Sequence, residues 1–185
     1  MDRILESLSD YGAHLRYGAL SDRVIHEVKR RVIDTLGCAM GSYNMHPPGI
    51  ARAHALEVTS TPGSTVLGTR HRSAPELAAF ANGVMARYSD FNDMSVGRKA
   101  GHPSDNIPAV FAAAEYAGAD MRSTIAGIVL AYEVQDRVGD VCAAAIDRGW
   151  DYVVYTSFAA AAGAGKAMGL SKEQLANALA LGVVR

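Results

Sequence analysis

Cysteine is scarce in this chain: Cys38 and Cys142 are the only two among 185 residues. Each sits in an apolar, helix-like run far from the other. That predicts buried free thiols in a reducing cytoplasm rather than a disulfide. Two thiols also fall short of the three or four that an iron–sulfur cluster takes. Net charge is nearly absent, with 18 basic residues against 19 acidic giving −1. A nucleic-acid or anionic-membrane partner asks for a concentrated basic face. The local run Lys29-Arg30-Arg31 is flanked by Glu27 and Asp34 and reads as a solvated helix face. Long hydrophobic runs are missing too. The apolar stretch Tyr152–Gly165 holds 14 uncharged residues, against the roughly 20 that span a bilayer, and Met1-Asp2-Arg3-Ile4 opens no signal core. The expectation is a cytoplasmic protein without nucleic-acid or membrane partners. Its 49% hydrophobic and 20% charged residues give an ordinary globular balance.

Strand patterns are as rare as cysteine, and helical periodicity fills the space. Ile25, Val28, Val32 and Leu36 make one apolar stripe, with Ser21 or Asp22 to cap it and Gly41 to end it. Ser73-Ala74-Pro75-Glu76 has the form of a capping box, opening a helix whose Leu77, Phe80, Ala81, Val84 and Tyr88 share a face. A further helix starts between Ser104 and Pro108 and ends at Gly118. Asp120 caps the next, striped by Ile125, Ile128, Val129 and Tyr132. Ser171-Lys172-Glu173-Gln174 is a second capping box. Thr61-Pro62-Gly63-Ser64 is a turn, and Thr65-Val66-Leu67 is the one short strand candidate. No βαβ alternation and no repeat is present. The expected fold is all-α, a compact helical bundle with at most one short β segment near residues 64–68. The small residues of Ala159–Gly165 allow close helix approach. The last helical pattern reaches Arg185 without a C-cap, which reads as an interrupted helix, so the domain spanning 1–185 is expected to be incomplete at its C-terminal end.

Chemistry concentrates in Asn82–Asn106. Two acids, Asp90 and Asp93, are followed by two cations, Arg98 and Lys99, and then by Gly101-His102-Pro103-Ser104. Function is carried on loops held by a rigid scaffold, and this is the best such loop in the chain. Gly165-Lys166 hints at a phosphate loop, but alanine stands at both 160 and 167, where the pattern needs glycine and a hydroxyl. Asp90, Asp93 and His102 have the elements of a metal site, although their spacing is not diagnostic of one. An acid–base reading suits the residues better. A carboxylate and an imidazole facing one substrate remove a proton and protonate a departing hydroxyl, the chemistry of β-elimination. An anionic substrate needs cations, here Arg98, Lys99 and Arg87, and donors near a helix start, here Ser104 and Asn106. The plainer alternatives remain a structural histidine before a proline and a pair of solvated acids.

Several spaced motifs in order resemble one family. Asp22-Arg23-Val24 and Ile33-Asp34-Thr35-Leu36-Gly37-Cys38 look like its opening helix. Phe80-Ala81-Asn82-Gly83, Asp90-Phe91-Asn92-Asp93 and Gly101-His102-Pro103-Ser104-Asp105-Asn106 look like its core signature. Tyr132-Glu133-Val134-Gln135 and Ala167-Met168-Gly169-Leu170-Ser171 follow. The chain resembles the MmgE/PrpD family over nearly its whole length, in the branch of the 2-methylcitrate dehydratases. The resemblance implies a large helical domain joined to a smaller α/β domain beyond this chain. It implies a lyase of propionate catabolism that acts on a small tricarboxylate, without an iron–sulfur cluster or other cofactor, as a homodimer. On this resemblance Asp90 and His102 are catalytic, and Asp93 completes the acidic motif and touches substrate. Two family positions differ: Met94 replaces a threonine, and Trp150-Asp151-Tyr152 holds no histidine where some members carry one. Tyr152 is a substitute donor there, with core packing an equal reading. A second hypothesis is a catalytically silent fragment or oligomerising module.

Overall fold

The computed structural model describes residues 2–97, 100–142, 148–151 and 153–183. Among them are eight α-helices: α1 (Arg3–His14), α2 (Asp22–Gly41), α3 (His46–Leu56), α4 (Pro75–Arg87), α5 (Ile107–Tyr116), α6 (Met121–Val141), α7 (Val153–Ala167) and α8 (Lys172–Val183). The all-α class expected from the sequence holds. The expectation of at most one β segment does not. Strand β1 (Ser64–Thr65) pairs antiparallel with β2 (Arg72–Ser73), and β3 (Ser95–Val96) pairs with β4 (Ala100–Gly101). Each strand is two residues long, too short for any alternation pattern to register in the sequence.

Helix starts follow local chemistry where side chains are free to cap. Asp2 accepts from Ile4 and Leu5 N–H, Ser21 from Val24, and Asp120 from Ser123. Ser171 and Gln174 cap one another reciprocally at the start of α8. The box expected at Ser73 does not form. Ser73 belongs to β2 and is buried, and its hydroxyl donates to the Ala55 carbonyl at 2.7 Å. Tertiary packing has taken the hydroxyl that would have capped α4, which starts instead from Pro75 with fixed φ.

The stripe that shares a face of α4 is only partly turned inward, with Leu77, Ala81 and Val84 packed on the core. Ala78, Ala81 and Met85 are fully buried, whereas Phe80 and Tyr88 are exposed. Small side chains let α4 lie close on α3 and α5, which a face of large aromatics would prevent. The thiols differ from expectation as well: both are free, but Cys38 is half-buried and Cys142 exposed.

The core has two main clusters, both centred on α6. One joins Val28, Ile107, Val110, Ile125 and Ile128, and the other joins Leu130, Val134, Phe158, Leu175 and Leu179. Each fully buried Leu or Ile contributes roughly 1.5–3 kcal/mol, more than the two-residue ladders supply. The α6–α7 crossing is tight because Gly127 and Gly163 face each other. A Cβ on Gly127 would lie 2.6 Å from the Gly163 carbonyl oxygen, and one on Gly163 would lie 2.7 Å from that of Gly127. α6 is thereby fixed, and it forms the wall on which the loop between α4 and α5 is built.

Candidate active site

The loop between α4 and α5 starts with a reversal. Asp90 has φ +55°, the left-handed region that Asp tolerates better than most residues, and its N–H donates to the Arg87 carbonyl at 3.1 Å. The reversal sets the Asp90 carboxylate against the Arg87 guanidinium, which holds it below the usual carboxylate range. Asp90 is 69% exposed.

Three residues on, Asp93 is enclosed, with its side chain 4% exposed. One carboxylate oxygen accepts from the Ser104 N–H at 3.1 Å, and the other accepts from the Tyr132 hydroxyl at 2.9 Å. The Arg31 guanidinium lies 3.3 Å away. Burial first, then the Asp93 charge, pushes the Tyr132 hydroxyl well above its ordinary range, so it stays a donor. Arg31 is therefore more than the solvated residue expected from its charge run. It holds Glu27 on its own helix at 2.7 Å and reaches across to Asp93.

The β3–β4 hairpin returns the chain to its starting point, with Ser95 opposite Gly101. His102 consequently sits beside Asp93, and its Nδ1 lies 2.7 Å from the Asp93 carbonyl oxygen. A carbonyl can only accept, so Nδ1 carries the proton and Nε2 holds the lone pair of the neutral ring. Nε2 lies 3.7 Å from the Asp90 carboxylate. The acid and base residues named from the sequence thus meet at the loop's rim.

Beneath them runs a polar network that the motif alone did not reveal. The buried Asn92 amide donates to the Ser104 hydroxyl and to the Asp105 carboxylate, each at 2.9 Å. Arg87 Nε approaches Asp105 at 3.7 Å. Burial raises the Asp105 carboxyl against the opposing pull of Arg87. Asn106 donates to the Pro103 carbonyl at 2.8 Å and to Gln135 at 2.6 Å. Ser104 and Asn106 are both buried. The Ser104 N–H, expected to stand free for a substrate carboxylate, is taken by Asp93, and Asn106 is committed to Gln135. Both residues hold the loop in shape. The clustering of short polar residues in Asn92-Asp93 and Ser104-Asp105-Asn106 is the signal that could have pointed to this network. The partners Arg31, Tyr132 and Gln135 sit on distant helices and carry no such signal.

Arg98, Lys99 and Tyr152 lie outside the described residues. Among the described residues, no group of three His, Cys, Asp or Glu side chains is placed to hold a metal ion, and no helix is long and apolar enough to cross a membrane. A cleft of about 380 Å³ opens beside Asp93, between α2 and α6. Among the described residues its wall carries Glu27, Asp93, Glu133 and Asp136 with the cation Arg31. Neither Asp90 nor His102 lines it.

Residues 6–185 match the family model described as the MmgE/PrpD N-terminal domain. The chain is 29% identical to a 2-methylcitrate dehydratase of Cupriavidus necator over 97% of its own length and 39% of that relative's. It is 28% identical to a 2-methylcitrate dehydratase of Salmonella typhimurium, over 97% of the chain and 39% of the relative. A 2-methylcitrate dehydratase-like protein of Aspergillus oryzae, oryR, is 29% identical over 94% of the chain and 37% of its own length. The chain thus spans about two-fifths of the curated relatives it matches. With the model covering all but the first five residues, the chain belongs to the MmgE/PrpD family, and residues 6–185 match its N-terminal domain.

Proposed function

We propose that this chain is the N-terminal helical part of a hydro-lyase that dehydrates 2-methylcitrate or a related tricarboxylic acid by acid–base β-elimination, without an iron–sulfur cluster. The carrying observation is the imidazole–carboxylate pair: His102 with Nδ1 anchored on the Asp93 carbonyl and Nε2 facing Asp90. In the elimination, a base takes the proton on the carbon next to a carboxylate. The electron pair becomes the new double bond, and the neighbouring hydroxyl leaves as water after taking a proton from an acid. His102 Nε2 is the better base, because Arg87 stabilises the Asp90 carboxylate in its ionised form and so weakens it as a proton acceptor. Asp90 steadies the imidazolium once the proton has moved. Arg98 and Lys99, with Arg87, are the proposed carboxylate holders, and a homodimer is the proposed assembly. Asp93, Ser104 and Asn106 support the site by positioning the loop.

The test is the ultraviolet absorbance of the new double bond, followed in the intact gene product supplied with 2-methylcitrate. Asp90→Asn and His102→Ala are each expected to lose about a hundredfold or more in kcat while keeping the parent melting temperature. Unchanged turnover in both variants refutes the assignment.

A second reading concerns the 185-residue chain by itself. Asp90 is 69% exposed, and catalytic groups work in sites that exclude water and fix geometry, where a displacement of about 1 Å costs roughly a hundredfold. The isolated chain is expected to be catalytically silent. Measurable dehydratase activity from it overturns that reading.

A further inference from the structure

At the opposite end of α6, a cleft of about 670 Å³ lies between the α1–α2 connection, the first turn of α6 and the last turn of α7. It shares no residue with the Asp90–His102 pair, from which it is separated by about ten residues of α6, or roughly 15 Å of helix. Its wall carries three cations, Arg16, Arg122 and Lys166, and no carboxylate. Other cations of the chain have close acidic partners, as Arg31 has Glu27, Arg137 has Glu133 and Lys172 has Asp10. Among the described residues none of these three cleft cations forms a salt bridge.

Two of them are also forced together. Lys166 Nζ donates to the Ala13 carbonyl at 3.3 Å, and the Arg16 guanidinium donates to that same oxygen. Partial burial, and then the proximity of Arg16, lowers the Lys166 ammonium below its usual range. Capping the last carbonyls of α1 accounts for part of this arrangement. It uses only one of the three Lys166 donors and a minority of the five on Arg16. Arg122 is held over the Tyr17 ring, 5.6 Å from its centroid. The Arg122 guanidinium makes no hydrogen bond to another described residue. Asp120, which the neighbouring Arg122 charge helps to keep ionised, is engaged in capping α6 through the Ser123 N–H at 2.7 Å and does not line the cleft. Concentrated like charge in a concave wall focuses the field on counter-ions, and arginine donors suit planar or tetrahedral oxyanions.

We propose that this cleft binds a small multivalent oxyanion carrying phosphate or carboxylate groups, held by Arg16, Arg122 and Lys166. The experiment is calorimetric titration of the 185-residue chain with inorganic phosphate and, separately, with citrate, at fixed ionic strength set by chloride. One or both anions are expected to bind with a Kd of about 1 mM or tighter, and to weaken about tenfold or more in Arg122→Gln. Stronger heat from phosphate identifies a phosphorylated ligand, and stronger heat from citrate a carboxylate one. His102→Ala is expected to leave this binding unchanged, which separates it from the dehydratase reading. Circular dichroism checks folding. Arg122 is exposed, so its variant retains the fold even where Lys166→Gln does not. The proposal is overturned by the absence of binding for both anions, by binding equal in Arg122→Gln and the parent chain, or by binding lost in His102→Ala instead.

Discussion

Asp90 and Asp93 stand three residues apart in one acidic motif, yet the fold gives them opposite surroundings. Asp93 is sealed among Ser104, Tyr132 and Arg31, with both carboxylate oxygens taken. Asp90 sits on an exposed left-handed turn with Arg87 and His102. The contrast teaches how the loop divides its labour. The carboxylate whose hydrogen bonds are spent inside the protein shapes the loop, and the one at the rim, paired with Arg87, is the one proposed for chemistry. Even the histidine obeys this division, because one ring nitrogen is anchored to the backbone of Asp93 and the other faces Asp90.

Breaking the buried side of this comparison should have the largest effect on stability. Asp93→Ala strands the Tyr132 hydroxyl and the Ser104 N–H, at an expected cost of about 2–4 kcal/mol. Urea denaturation measures it. Asp90→Asn should leave the urea midpoint in place and remove activity. Equal loss of stability in the two variants would erase the distinction.

Next comes the scaffold. Gly127→Ala drives a methyl group towards the Gly163 carbonyl. It should cost about 1–3 kcal/mol by overpacking, and calorimetric melting should show it as a lowered Tm. If Gly127→Ala melts with the parent, the α6–α7 crossing is looser than described.

Tyr132→Phe sharpens the comparison more finely. It deletes one donor to Asp93 and nothing at Asp90, for about 1 kcal/mol. The proton on His102 Nδ1 should persist, visible as a slowly exchanging imidazole signal in NMR spectra.

The smallest effect concerns Asp105, whose carboxyl burial raises. Its folded value lies above its unfolded one. The stability tied to it is therefore fully present below the unfolded value, about pH 4, and is lost as pH rises through the folded value. Asp105→Asn keeps an oxygen for the Asn92 amide and removes that loss. Urea midpoints measured from pH 4 to neutrality should fall less in the variant than in the parent. An identical pH profile would show that Asp105 does not carry this linkage.

Much of the fold was legible in residue order, because the information is local. Ser21, Asp120 and Ser171 cap helices where short polar side chains precede apolar periodicity, and Gly118 takes φ +65° after α5. The same locality misled at Ser73. A capping pattern is read from four residues, whereas the hydroxyl went to Ala55 in another helix. The facing of α4 was not legible for a similar reason: periodicity fixes which residues share a face, but not which face the neighbours cover. Phe80 is exposed and Ala78 buried because α3 and α5 approach closely on the alanine side.

The sequence by itself determined the helical class, the punctuation of most helices, and the loop in which acid, imidazole and cations gather. It determined these because turns, caps and 3.6-residue periodicity act over a few neighbouring residues. Only the tertiary structure decided which aspartate is buried and which exposed, which nitrogen of His102 carries the proton, and that Ser104 serves Asp93. Those outcomes depend on Arg31, Tyr132 and Gln135, which are far away along the chain. A carboxylate's role follows from the donors that reach it, and distant helices supply those donors only after the core has closed.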